Sequence, residues 1–286
     1  MTPKSFSLIG AGRVGNALAV ALHQLGWLCH SVVSRRISSA RDLSRRLKDP
    51  PVATEVNRVA PARWIFVCVS DDALAEVAAK LAESPIDWRG CVVAHTSGRF
   101  SVNLLDGLAA GGGTICALHP AVALTGTATD WQKIGSAVFG VEGSDAALLE
   151  AKGLLDELGA GMVRVPAEGK VAYHLACVMV SNYLVTLHHL ARVIAGSAEP
   201  AMQKLLMHLS RDTLSNLVDH SPAEALTGPM RRGDVGTIAA HLDLLRMKYP
   251  ELSPLYKELG RHTLELAKHS LKNDGIVQEL ERLFQK

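Results

Sequence analysis

Three glycines stand at positions 10, 12 and 15, in Gly10-Ala11-Gly12-Arg13-Val14-Gly15, directly after the apolar run 6–9 and ahead of an amphipathic stretch, 16–25. A strand, a glycine turn and a helix in that order can hold a diphosphate on backbone N–H groups. Gly10 permits the tight turn, Gly12 lets the backbone approach the anion, and Gly15 lets the helix pack close to the strand. The helix N-terminus, with its uncapped N–H groups and positive dipole end, favours that anion. A second strand, 29–33, ends in Ser34-Arg35-Arg36 with no acidic residue beside it. An Asp or Glu at this place would bond a ribose 2′-hydroxyl; paired guanidinium groups suit a 2′-phosphate by bidentate hydrogen bonding. These residues predict a site for NADP(H). The same arginines would otherwise be ordinary surface charges after a strand.

Three further polar groups sit where chemistry is feasible. His95-Thr96-Ser97-Gly98 ends an apolar run at 91–94, and His119 ends another at 114–118. Both strand ends would overlook the nicotinamide end of a dinucleotide. With Val69, Ser70 and Asp71 at the end of run 64–69, His95, Thr96 and Ser97 complete the predicted cofactor site. Read as plain structure, Ser97 or Ser101 is a helix cap and Gly98 a turn residue. The second group is Lys170, Tyr173, His174, Ser181 and Asn182, on an otherwise apolar stretch. Lys170 and His174 are four apart and share a helix face. Reduction of a carbonyl needs a proton donor and a group that orients the oxygen. Lys170 or His174 suits the first role and Asn182 the second, with Ser97, His119 and Ser181 as substrate contacts. The third group, Thr227, Arg231 and Arg232, lies in a Gly-Pro-punctuated loop before Asp234, a candidate cap. Its arginines could grip a carboxylate. Metal-binding spacings such as H-E-x-x-H are absent from the sequence, so no metal is expected.

The elements around these residues follow from periodicity. Residues 1–166 alternate strand and helix, which predicts an α/β domain with a doubly wound, mostly parallel sheet. Residues 167–286 show only helical periodicity, with expected helices at 170–195, 200–219, 233–248, 253–271 and 276–284. Asp71 or Asp72 is expected to cap the helix that runs to about 83. At 286 residues the chain can build two cores. Its 48% hydrophobic and 20% charged content is that of a globular protein. A net charge of +2 argues against a nucleic-acid or acidic-membrane partner. Met1-Thr2-Pro3-Lys4 runs straight into the first strand without a signal peptide, and no apolar run reaches the ~20 residues of a membrane span. Five scattered cysteines, Cys29, Cys68, Cys91, Cys116 and Cys177, fit a reducing cytoplasm.

The H-T-S-G, L-H-P, Y-H-x-A-x(4)-S-N-Y and L-T-G-P-x-x-R-G-D motifs, at 95–98, 118–120, 173–183 and 226–234, accompany the glycine fingerprint. Together they resemble the bacterial Rossmann-like proteins with a DUF2520 domain. That group is similar to the 6-phosphogluconate dehydrogenase and ketopantoate reductase superfamily. The resemblance implies NADP(H) in the first domain, catalytic residues on the first long helix of an all-α second domain, and a homodimer formed through it. It also implies reduction of a small 2-oxo acid, with ketopantoate the leading substrate. Ketopantoate reductases carry K-x-x-x-N-x-x-x-N on that helix; here His174 falls at the Lys position, Val178 at the first Asn and Asn182 at the second. Lys170 is one turn earlier. An NADP(H)-binding sensor without turnover, and a reductase of an imine or a deazaflavin, are the alternatives.

Overall fold

The computed structural model describes residues 4–271 and 273–285; Met1–Pro3, read above as a short lead-in, lie outside them. The chain divides into two compact units, Met1–Tyr183 and Leu184–Lys286.

The first unit is built on eight strands: β1 (Ser5–Ile9), β2 (Leu28–Val33), β3 (Val52–Ala53), β4 (Trp64–Val67), β5 (Val92–His95), β6 (Thr114–Ala121), β7 (Val138–Gly143) and β8 (Gly161–Arg164). They form one sheet in the order β3-β2-β1-β4-β5-β6-β7-β8. Every pair is parallel except β6 with β7. Alternation along each strand supplies two cores. Trp64 and Phe66 pack on one face with Phe6, Leu8, Leu118 and Phe139. Ile65 and Val67 pack on the other with Ile9, Val33, Leu74 and Val93. Because both faces are covered, the central strands read as continuous apolar runs. Helices α1 (Arg13–Gln24), α2 (Ile37–Ser44), α3 (Asp71–Ala82), α4 (Asp106–Ala110) and α5 (Asp145–Leu158) provide the covering layers. The doubly wound, mostly parallel sheet is thus as expected. The two-residue strand β3 is an addition, because 52–53 is too short to carry a period. One local expectation needs correction: Ser70, not Asp71 or Asp72, stands at the N-cap of α3. Both aspartates lie in its first turn, where they face the positive end of the helix.

The helix expected at 170–195 is three pieces: α6 (Lys170–Val178), a π-helical turn (Met179–Tyr183) and α7 (Leu184–Ala195). A π-turn inserts extra residues into the helical register and rotates the residues after it. The division between the compact units falls at its end, after Tyr183 rather than at position 166. With its lead-in turn the helical run spans Ala167–Ala195, 29 residues, long and apolar enough to cross a membrane by length and composition alone. Its interspersed Lys170, His174 and Asn182 hide that length in the sequence. Lys170 is ion-paired to Glu142 of β7, which ties α6 to the sheet.

The second unit continues with α8 (Pro200–Asp219), α9 (Pro222–Ala225), α10 (Gly228–Arg232), α11 (Val235–Lys248), α12 (Ser253–Ala267) and α13 (Asp274–Gln285). Where the sequence suggests a loop before Asp234, the chain forms α9 and α10, each opened by a proline in its first turn. The core of the unit is Met230, Ile238, Leu242, Leu264, Leu280 and Phe284. Asp234 caps α11 as expected, accepting from Thr237 N at 3.0 Å and from Thr237 Oγ1 at 2.7 Å.

Candidate functional site

The glycine turn joins β1 to α1. Gly10 has φ +102, and a Cβ there would collide with the carbonyl oxygen of Cys68; a Cβ on Gly15 would collide with Gly10 O. A Cβ on Gly12 would meet nothing, so its backbone faces open space, as a closely approaching ligand requires. Gly12 is the N-cap of α1, and no side chain caps the helix. A groove of ≈ 400 Å³ runs from this turn, lined in part by Ala11, Gly12, Arg13, Asn16, Arg36 and Arg46. Three guanidinium groups beside an open helix N-terminus fit a dinucleotide carrying an additional phosphate.

Arg36 is among the residues expected here. Arg46 is not, because in the sequence it belongs to a basic helical stretch with nothing to mark it. It donates to Asn16 Oδ1 at 2.6 Å and to Ala128 O at 3.0 Å. The second bond draws the 126–130 loop to the groove's far side, where Asp130 holds the loop by accepting from Gly126 N (2.7 Å) and Thr127 Oγ1 (2.8 Å). Ser34 follows β2, its N–H bonded to Ala53 O, and Arg35 is exposed. Val69, Ser70 and Asp71 lie between β4 and the start of α3.

The polar ends of β5 and β6 lie side by side. His95, fully buried, ends β5. Its Nδ1 accepts from Ser97 N at 3.2 Å and its Nε2 lies 3.2 Å from Ser101 O. A carbonyl only accepts, so the proton sits on Nε2 and the ring is neutral. Burial first, and then the Lys170 charge, push this imidazole down to about 4, in agreement with that geometry. Ser97 Oγ accepts from Arg99 N and Phe100 N, at 3.2 and 3.1 Å, and Ser101 Oγ from Asn103 N at 3.3 Å. Ser101 therefore caps the 3₁₀ turn at 102–105, as one reading of the sequence expects, whereas no helix starts directly after Ser97. Thr96, just before Ser97, is buried.

His119 and α6 form the second half of the site. His119 Nδ1 lies 2.9 Å from Tyr173 OH. The His119 and His174 rings meet edge to face, centroids 5.9 Å apart. Gly98 is needed here for space, since a Cβ would lie 2.7 Å from His174 Cδ2 and 3.0 Å from His119 Nε2. Burial, then the His174 and Lys170 charges, push the His119 imidazole down to about 4. Burial and the neighbouring Cys177 push the Tyr173 phenol up to about 12. A cavity of ≈ 210 Å³ opens beside these rings, lined by His119, His174, Cys177, Ser181 and Asn182 among others. The π-turn delivers Ser181 and Asn182 to it.

Lys170 does not share this opening. It is 1% exposed, and its Nζ points to Ser97 O at 3.3 Å and Glu142 Oε2 at 3.8 Å. Lys170 and His174, expected on one helix face, have different surroundings: residue 170 starts the helix against the sheet, and residue 174 lines the cavity. Glu142 is not among the expected residues. Its signal is a lone carboxylate in an otherwise apolar strand, which must find a partner when buried. Thr227, Arg231 and Arg232 belong to the second unit, where Arg231 Nη1 donates to Ala223 O at 2.7 Å.

Residues 2–120 match the family model of the Rossmann-like domain, and residues 137–263 match the model described as a domain of unknown function, DUF2520. No curated protein matches the sequence. Among solved structures, the chain is similar to a protein of Bacteroides fragilis whose name assigns it provisionally to the NADP oxidoreductases. The two share 25% identity and a TM-score of 0.76, over 92% of this chain and 98% of that one. It shares its fold with an imine reductase from Pseudomonas sp. at 18% identity and a TM-score of 0.58, over 99% of each chain. It also shares it with an imine reductase from Myxococcus stipitatus in complex with NADP+, again at 18% identity, with a TM-score of 0.57 over 98% and 93%. The chain thus carries a Rossmann-like domain followed by a DUF2520 domain.

Proposed function

We propose that the protein is an NADPH-dependent reductase of a small C=O or C=N compound, with ketopantoate as the leading substrate. The observation that carries this reading is one compact unit holding both a glycine turn with an arginine-lined groove and a cavity edged by two imidazoles, a hydroxyl and an amide. The bound cofactor supplies the hydride. Gly12 and the first turn of α1 bind its diphosphate, and Arg36, Arg46 and Arg13 take its 2′-phosphate. Asn182 orients the substrate heteroatom. His174, at the cavity wall, donates the proton that neutralises charge developing there. Tyr173, held protonated, donates to His119 Nδ1, which leaves the His119 proton on Nε2, the edge beside Gly98 and His174. His119 thereby positions His174 and excludes water from it. The imine is a second reading, favoured by the named activity of the Pseudomonas and Myxococcus proteins that share the fold. NADPH consumption, compared between ketopantoate and a small cyclic imine, tests the proposal and separates the two.

The arginines make the cofactor preference testable. A hydrogen bond to a charged group contributes about 1.5–3 kcal/mol, so replacing both Arg36 and Arg46 with Ala should weaken NADPH binding by about 10- to 100-fold or more. NADH, without the 2′-phosphate, should lose far less. Fluorescence titration with both nucleotides reads the difference.

We also propose a homodimer through the helical part. Helix α8 has no buried residue, and Leu205, Leu209 and Val218 are 57%, 61% and 81% exposed on it. A helix of this length with apolar groups left in water needs a covering surface, and a second copy is the commonest one. Sedimentation velocity should give the mass of two chains, and Leu209→Asp with Val218→Asp the mass of one.

A further inference from the structure

The buried charges beneath the cavity carry one inference that deepens this reading and rests on it. Lys170 of α6 and Glu142 of β7 are 1% and 7% exposed. Two charges taken out of water cost free energy that a salt bridge returns only with good additional hydrogen bonds, and apolar replacements of such pairs are often as stable. The bonds of this pair all converge on one loop. Lys170 Nζ donates to Ser97 O at 3.3 Å. Glu142 Oε1 accepts from Ser101 Oγ at 2.6 Å, and Oε2 from Val102 N at 3.2 Å. His95 spans the same loop from within, bonding Ser97 N and Ser101 O. The ion pair therefore holds both ends of the 97–102 segment. Gly98, between those ends, is the residue pressed against His119 and His174.

We propose that Lys170 and Glu142 are positioning residues, a buried clamp that fixes the Ser97–Val102 loop so that Gly98 seats the His119 and His174 rings, and that Lys170 is not the proton donor. The ammonium group is occupied by a carbonyl and a carboxylate, and its neighbourhood is closed to the cavity that His174 lines. The clamp also sets the charge state of the site. The groups that act on His119 are Tyr173, His174 and Lys170 from α6, and Asp71 from the start of α3. Burial first, then His174 and Lys170, push the imidazole down to about 4, with Asp71 opposing them.

Lys170→Met alone strands the Glu142 carboxylate and is liable to misfold, so the deciding variant is Lys170→Met with Glu142→Gln, a neutral pair of similar volume. NMR titration of the cofactor-free protein, with the His119 resonance assigned from His119→Gln, reads the clamp without any substrate. Losing a cationic neighbour and the seat of Gly98 should raise the His119 midpoint from about 4 by roughly half a pH unit or more. Amide exchange at Val102 should speed up about tenfold or more, since its N–H loses its charged acceptor. An unchanged His119 midpoint with unchanged Val102 exchange overturns the proposal. Absence of turnover in the parent protein would count against the reductase reading and leave these two readouts intact.

Discussion

Replacing His174 with Ala is expected to slow hydride transfer to substrate by about 10²- to 10⁴-fold, the range spanned by general acid catalysis, while NADPH affinity changes little. The expectation comes from placement. His174 lines the ≈ 210 Å³ cavity together with Asn182 and Ser181, and its ring packs edge to face on His119. The groove for the dinucleotide involves other residues, so its occupancy should survive. His119→Gln should have a smaller effect, because His119 acts through His174: the amide keeps a hydrogen bond to Tyr173 and loses the ring contact. Single-turnover rates with NADPH pre-bound separate the chemical step from binding. A His174→Ala protein with a parental rate would remove the proposed proton donor.

Gly10→Ala should be among the most damaging single methyl groups in the Rossmann unit. The residue has φ +102, and its Cβ would meet the backbone carbonyl of Cys68 rather than a side chain able to turn away. An L side chain at such a φ is strained by about 1–2 kcal/mol. Overpacking of that kind adds about 1–3 kcal/mol. A loss of roughly 2–5 kcal/mol is a large share of the roughly 5–15 kcal/mol that holds a typical protein folded. The melting temperature should fall by roughly 4–20 °C, and NADPH binding should fall with it because the diphosphate cradle is the element displaced. Gly12→Ala makes the contrast, since a Cβ there meets no protein atom. It should fold normally and lose cofactor affinity alone. Thermal unfolding of the two variants with and without NADPH distinguishes fold from site.

Much of this molecule is legible in its sequence because the relevant signals are local. The glycine turn announces itself by spacing, and β4 and β5 by unbroken apolar runs that only a doubly covered sheet requires. The strand end at His95 follows once the sheet is doubly wound; His119, read as a strand end, lies within β6, which runs on to Ala121. The illegible part depends on pairing across the chain. Arg46 reaches the groove by bonding Ala128, 82 positions away. Glu142 matters through Lys170 and Ser101, on a different helix and a different loop. Helical periodicity places Lys170 and His174 on one face, yet their spacing does not say that the first turn of α6 is sunk against the sheet and the next is at a cavity wall. The π-turn at Met179–Tyr183 leaves no mark in a pattern read at the ordinary helical period, and it is the element that brings Ser181 and Asn182 to His174.

On the reading proposed above, the arginine-lined groove and the imidazole-edged cavity are two halves of one reductase. The decisive measurement titrates the purified protein with NADPH and NADH, then adds ketopantoate or a small cyclic imine while the reduced-nicotinamide absorbance is followed. The expected result is tighter binding of NADPH than of NADH, and consumption of NADPH on addition of one of the two compounds that is lost in His174→Ala. Tight NADPH binding with no consumption by either, or consumption undiminished in His174→Ala, would contradict it.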